Sequence, residues 1–199
     1  ALMLQEGVAP AILENVAKTI GMPVGPLAVT DEISLTLPLK IMKESAQMLQ
    51  DSKASKQLYA IYEEMVDKGR IGKKGGKGFY TYPVGAKKHL WEGLSDMFPT
   101  QEDYLNPTII GKRMLHIMAL ESYRCLEEGV LNSATDGDVG SLTGFGFPPY
   151  TGGVISYIDY IGLDNFIQDC QDFHQQFGER FEVPLSLLKK SERGETFYG

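Results

Sequence analysis

The stretch Gly21-Met-Pro-Val-Gly-Pro-Leu-Ala-Val-Thr-Asp-Glu-Ile-Ser-Leu35 decides the reading of this chain, because a looser copy returns later as Gly146-Phe-Pro-Pro-Tyr-Thr-Gly-Gly-Val-Ile-Ser-Tyr-Ile-Asp-Tyr-Ile-Gly-Leu163. Both read as a glycine-rich turn running into a helix. Glycine enters backbone conformations closed to other residues, while proline fixes φ and suits a first helical turn, where its missing N–H is not needed. Asp31 and Asp159 are each followed two residues on by an isoleucine, Ile33 and Ile161. The flanks repeat too. Leu4-Gln-Glu-Gly-Val8 precedes the first copy as Leu126-Glu-Glu-Gly-Val130 precedes the second, and each half closes on Phe-Tyr, at 79–80 and 197–198. The expected fold is all-α: two tandem helical copies packed together, residues 1–83 and 107–199, joined by a polar connector over 84–106.

Working outward, residues 9–19 carry Ile12, Leu13 and Val16 at helical spacing, and Gly21 is a stop signal. Leu35, Leu39, Met42, Ala46 and Leu49 form an amphipathic stripe, followed by a shorter one of Leu58, Ile61, Tyr62 and Met65. Residues 108–128 make a long helix whose buried face is Ile110, Met114, Ile117, Met118 and Cys125. Arg113 and Glu121 lie near that face, paired or hydrogen-bonded there, since lone buried charges are costly. Asp136-Gly-Asp138 and residues 144–149 read as turns. The strongest stripe is Leu163, Phe166, Ile167, Cys170, Phe173, His174 and Phe177. No alternating strand pattern stands out, and the connector shows one weak helical patch.

A net charge of −7 argues against general affinity for nucleic acid. No apolar run approaches a membrane helix. Two distant cysteines, Cys125 and Cys170, suggest neither a metal site nor a redox pair and fit a reducing compartment. The opening Ala1-Leu-Met-Leu-Gln-Glu-Gly7 reads as the last turn of a helix whose beginning is missing, hence a fragment of a longer polypeptide.

The candidates for chemistry are few. Residues 68–80 form a basic, glycine-rich loop in which Lys73, Lys74 and Lys77 could hold an anion, against the plainer reading of a solvated structural loop. It matches neither Gly-x-x-x-x-Gly-Lys-Ser/Thr nor Gly-x-Gly-x-x-Gly. His89, His116 and His174 match no zinc spacing, and His174, on the apolar stripe, reads as a core or interface histidine. Ser34, Ser45 and Ser156 lack a nucleophile elbow. Cys125 reads as an inert core thiol. Asp31, Glu121, Asp138 and Asp159 read as capping or core hydrogen-bonding groups. No catalytic residue and no metal ligand is assigned.

Together, Glu6-Gly-Val8, the 21–26 turn, Asp31-Glu-Ile33, Gly72-Lys-Lys-Gly-Gly-Lys-Gly-Phe-Tyr80, Arg113, Glu121, Cys125-Leu-Glu-Glu-Gly-Val130, Gly144-Phe-Gly-Phe-Pro148 and Gly152-Gly153 closely resemble the C-terminal part of 3-hydroxyacyl-CoA dehydrogenases. More narrowly, the chain resembles the end of multifunctional fatty-acid oxidation α-subunits, where that helical domain occurs twice. The resemblance implies NAD-dependent oxidation of an (S)-3-hydroxyacyl-CoA. NAD and the catalytic His/Glu pair belong to a Rossmann domain outside these residues, so no cofactor is expected on this chain and the chain alone is expected to be inactive. Further implied partners are an enoyl-CoA hydratase domain, the acyl-CoA substrate and a thiolase subunit, in bacterial cytoplasm or, as the alternative, the mitochondrial matrix. Met22, Pro23, Val24, Gly25 and Pro26 are expected to line the substrate cleft, with Lys73, Lys74 and Lys77 as candidate CoA contacts. Ser34 departs from the family, where glycine is usual. The alternative from another class is a non-catalytic all-α assembly module.

Overall fold

The computed structural model describes residues 1–45, 53–101 and 106–198, and Ala46 and Leu49 of the first stripe lie outside the described residues. The chain divides into two compact units, one of Ala1–Lys18 with Val24–Pro107, the other of Thr19–Pro23 with Thr108–Gly199. Among the described residues both are helical, with strand confined to one two-residue pair in the first.

The first unit runs α1 (Leu2–Gln5), α2 (Pro10–Thr19, its last residue belonging to the second unit), α3 (Pro26–Ile33), α4 (Thr36–Ser45) and α5 (Lys53–Asp67). Strands β1 (Tyr80–Thr81) and β2 (His89–Leu90) and the short α6 (Leu94–Met97) follow. Helix α4 packs on α5, α1 on α5, and α3 on β1. Leu13 and Val16 of α2 are buried as their spacing predicts, whereas Ile12 is exposed because it falls outside the arc those two share. Leu27, Ala28, Leu35, Ile61, Met65 and Phe79 are also buried in this unit. The segment read as a connector buries Leu94 and Phe98, and its weak helical patch is α6. Strands of two residues are too short to show alternation, which is why β1 and β2 leave no pattern in the sequence.

The second unit contains α7 (Pro107–Glu127, entered from the last residue of the first unit), α8 (Ala134–Gly144), α9 (Val154–Ile161), α10 (Leu163–Phe177) and α11 (Leu185–Glu192). Its core gathers Leu120, Phe147, Val154, Ile158, Phe166, Cys170 and Leu187, with Ile20 packed against it. Three expectations need correction. Asp136-Gly-Asp138 is helical, because Ser133 caps α8 by accepting from Asp136 N at 3.1 Å. Glycine is useful inside that helix, since a Cβ on Gly137 would come within 3.3 Å of Ile155 and Leu131. Glu121 is exposed and pairs with Arg124 at 2.7 Å, one turn along the helix. Cys125 is half-buried, as are Ile117 and Met118, because α7 turns Leu115, Ala119, Leu120 and Tyr123 to the core instead. Arg113 is fully buried as expected, its guanidinium 3.4 Å from the centre of the Phe177 ring.

Candidate functional site

In the first unit two buried carboxylates organise the turn and the basic loop. Glu14, on α2, accepts from Leu27 N at 2.7 Å, satisfying a free N–H in the first turn of α3, and its other oxygen accepts from the Tyr80 hydroxyl at 2.6 Å. A Cβ on Gly25 would collide with the Glu14 carboxyl group unless that side chain moved, so glycine lets the carboxylate pack closely against the turn. Asp31 is wholly buried within α3 and accepts from Phe79 N at 2.7 Å, Tyr80 N at 2.8 Å and the Tyr82 hydroxyl at 3.0 Å. Burial raises its pKa, against the pull of those donors and of Arg70. The Tyr80 and Tyr82 hydroxyls are also pushed up, first by burial and then by the carboxylates they face.

Arg70 fastens the loop from below. It donates to Gly78 O (2.7 Å), Tyr80 O (3.1 Å) and Thr81 Oγ1 (3.1 Å), and its guanidinium lies 4.1 Å from the Trp91 ring centre. Burial lowers its pKa and Asp31 opposes the shift.

The second unit contains a similar device. Asp138, on α8, accepts from Ile155 N (2.7 Å), Ser156 N (3.1 Å) and the Ser156 and Tyr198 hydroxyls (2.6 Å each). Asp159, within α9, accepts from Phe197 N at 2.9 Å and Tyr198 N at 3.1 Å. Asp31, Asp138 and Asp159 all accept hydrogen bonds, and Asp31 and Asp159 tie down a distant Phe-Tyr pair and do not cap their own helices.

The residues expected to line a cleft are divided. Met22 and Pro23 group with the second unit, where Pro23 lies against Gly146; Val24, Gly25 and Pro26 group with the first. Met22 and Pro26 are half-buried, Pro23 and Val24 exposed, and Gly25 buried. Lys73 pairs with Glu32 at 2.6 Å, and Lys74 and Lys77 are exposed. The loop's backbone N–H groups are partly consumed within it, Gly72 N donating to Lys77 O at 2.7 Å and Gly76 N to Lys73 O at 2.9 Å. An open cavity of ≈ 370 Å³ in the first unit is lined by Gln5, Gln57, Ile61, Glu64, Met97 and Phe98. None of the expected site residues lines it.

Sequence reading missed Glu14, Arg70 and His116. Glu14 sits on the buried side of α2, three residues from Ala17 and one from Leu13, and that position was its available signal. His116 is fully buried in the second unit. Its Nδ1 is 2.7 Å from Lys112 O and 3.1 Å from the Tyr157 hydroxyl, while its Nε2 is 3.3 Å from Asp169 Oδ2. The ring stacks on Phe166 at 4.9 Å, and burial lowers its pKa to about 4, with the Lys112 carbonyl and Asp169 opposing. His174 is half-buried, and burial raises the Cys170 thiol to about 12, which makes it a poor nucleophile. Among the described residues no group of three or more His, Cys, Asp or Glu could hold a metal, and no helix is long and apolar enough to cross a membrane.

A family model described as "3-hydroxyacyl-CoA dehydrogenase, C-terminal domain" matches residues 1–82. A fatty acid oxidation complex subunit alpha from Vibrio cholerae serotype O1 is 34% identical over 203 residues, covering 100% of this chain and 28% of the relative. The subunit of the same description from Shewanella loihica is 32% identical over 202 residues, with the same coverage of 100% and 28%. The chain thus spans about 28% of the length of these curated relatives. A crystal structure of 3-hydroxybutyryl-CoA dehydrogenase from Escherichia coli matches with a TM-score of 0.71 at 15% identity, over 96% of this chain and 56% of that one. That likeness is one of fold.

Proposed function

From the premise that residues 1–82 carry the 3-hydroxyacyl-CoA dehydrogenase C-terminal domain, we propose that this chain is the C-terminal portion of an NAD-dependent (S)-3-hydroxyacyl-CoA dehydrogenase of fatty-acid β-oxidation, within a multifunctional hydratase and dehydrogenase. The observation that carries the proposal is the alignment of the entire chain with fatty acid oxidation complex α-subunits. The two units descend from one helical module, a reading supported by the Asp31 and Asp159 clamps, each closing on a Phe-Tyr pair.

In this role the chain supplies no proton-transfer group. NAD, which accepts the hydride, is bound by a Rossmann domain outside these residues. What this chain contributes is shape and position: Met22 to Pro26 border the acyl end of the cleft, and the lysine loop meets the CoA end. Glu14 and Asp31 hold turn and loop in register by fixing the first turn of α3 and the start of β1. The bacterial cytoplasm is the proposed compartment.

The test is reduction of a 3-ketoacyl-CoA by NADH, comparing the chain alone with the chain joined to its native upstream segment. Silence alone and turnover when joined is the expected result; turnover by the chain alone would place catalytic groups within these residues and overturn the assignment. In the intact enzyme, Val24→Trp is expected to change the Michaelis constant or turnover at least severalfold, and unchanged kinetics would remove the turn from the cleft.

A second reading, an assembly module that packs against its own upstream domains or a thiolase subunit, is favoured by one observation. Val29 and Ile33 of α3 and Leu37 and Ile41 of α4 are all exposed, at 42–53%. An isolated chain that captures purified thiolase subunit, and whose joined form gains no reductase activity, would favour it.

A further inference from the structure

Residues 68–91 contain seven lysines and arginines and no aspartate or glutamate, in a chain whose net charge is −7. The fold does not need that excess. In the second unit the Phe-Tyr pair reaches its aspartate from α11 through Arg193-Gly194-Glu195-Thr196, where Arg193 pairs with Glu195 at 2.5 Å and no positive charge is left over. The same closure in the first unit is made through the lysine-rich segment.

The hairpin also arranges part of this charge. Lys77 bridges to Thr81, and Thr81 pairs with His89, so three adjacent backbone segments present Lys77, Thr81 and His89 side by side on one face. Lys77 and His89 are exposed. Two segment spacings separate their backbones, about 10 Å, a gap that a lysine side chain and an imidazole can close around one tetrahedral anion. Thr81 lies between them. Its Oγ1 accepts from Arg70 Nη2 at 3.1 Å, which leaves its own hydroxyl proton to donate, and it places the buried Arg70 charge next to Thr81. Lys73 is held by Glu32, and Lys88 lies 4.6 Å from the Tyr80 ring centre, so neither is counted in the site.

We propose that the Lys77–Thr81–His89 face binds the phosphate of a phosphomonoester. Lys77 and His89 flank the anion, Thr81 donates a hydrogen bond to it, and Arg70, bonded to the Thr81 hydroxyl, supplies fixed charge beside it. The identity of the source, though not the chemistry, rests on the dehydrogenase reading, under which it is the 3′-phosphate of coenzyme A; free phosphate is the other source.

Calorimetric titration of the 199-residue chain with CoA, 3′-dephospho-CoA and inorganic phosphate tests this, with circular dichroism confirming that each variant is folded. Lys77→Glu and His89→Ala are expected to weaken CoA binding, the first by about tenfold or more. Lys87→Glu, the same charge change outside the face, is expected to leave it within about twofold. CoA should bind more tightly than 3′-dephospho-CoA. Binding of inorganic phosphate alone, with the same sensitivity to Lys77 and His89, supports the site and assigns free phosphate as its source. Equal losses from Lys77→Glu and Lys87→Glu, equal affinity for CoA and its dephospho form without phosphate binding, or no saturable binding overturns it. Since only binding is read, a failure here is distinct from failure of the joined enzyme to reduce a ketoacyl-CoA.

Discussion

Asp31 has no solvent exposure, and its carboxylate is the acceptor for two backbone N–H groups and a tyrosine hydroxyl. Truncation leaves buried donors without partners at about 1–3 kcal/mol each, so Asp31→Ala is expected to cost at least about 3 kcal/mol in urea unfolding, with Asp31→Asn costing less because one oxygen remains. Ser34 is the one non-glycine residue with positive φ among the described residues, at φ 74° and ψ 135°, and its hydroxyl donates to Ile71 O at 2.8 Å. The strain of such a conformation is about 1–3 kcal/mol and the hydrogen bond is worth about 1 kcal/mol. Ser34→Ala, which keeps the strain and loses the bond, is expected to lower the thermal midpoint; Ser34→Gly is expected to hold or raise it. The opposite order would mean that the backbone there is unstrained.

His116 makes a pH prediction with a definite sign. Its folded pKa is lowered to about 4 from an ordinary 6.5, so on acidification the unfolded chain takes up a proton that the folded chain refuses. The stabilisation is complete above pH 6.5 and is lost as pH falls from there to about 4, an amount of about 3 kcal/mol. Asp31, whose pKa is raised, acts in the opposite sense above 3.8, and the slope difference between the parent chain and His116→Gln isolates the histidine. Equal slopes would show that His116 titrates normally.

At the scale of the element, the turn-into-helix unit is built by bringing a carboxylate from a neighbouring helix against a glycine. A side chain on Gly25 would collide with Glu14, and one on Gly153, where φ is 126°, would lie 2.5 Å from Asp138 Cα. Alanine at 153 meets both unfavourable backbone geometry and fixed backbone atoms, whereas alanine at 25 meets a side chain that can move. Gly153→Ala is therefore expected to destabilise by more than Gly25→Ala, each by at least about 1 kcal/mol, in parallel denaturation curves. These turns are legible in sequence because glycine and proline act locally. Their carboxylate partners were not, since Glu14 and Asp138 are 11 and 15 residues before the glycines they meet and no local pattern ties them. Helix α8 was misread for a related reason: Asp-Gly-Asp favours a turn by itself, and the Ser133 cap with close packing on α9 overrides it.

At the scale of the molecule, each unit has its own core and its own aspartate clamp. The single tryptophan, Trp91, lies in the first. Asp31→Ala is expected to lower the unfolding midpoint followed by Trp91 fluorescence more than Asp159→Ala does, while both lower the loss of helix followed by circular dichroism. Equal shifts at Trp91 would show that the clamps do not act unit by unit.

The all-α class, the helix positions in 9–19, 108–128 and 163–177, and the recurrence of turn, aspartate and Phe-Tyr pair were determined by the sequence itself, because 3.6-residue periodicity and glycine-proline chemistry are properties of neighbouring residues. Only the tertiary structure decided that Asp31 reaches Phe79 and Tyr80, 48 and 49 residues away, that His116 is buried while Glu121 is not, and that Lys77, Thr81 and His89 share a face. Each of those depends on which segments meet across the fold, a pairing that burial and hydrogen-bond satisfaction select and that local sequence does not encode.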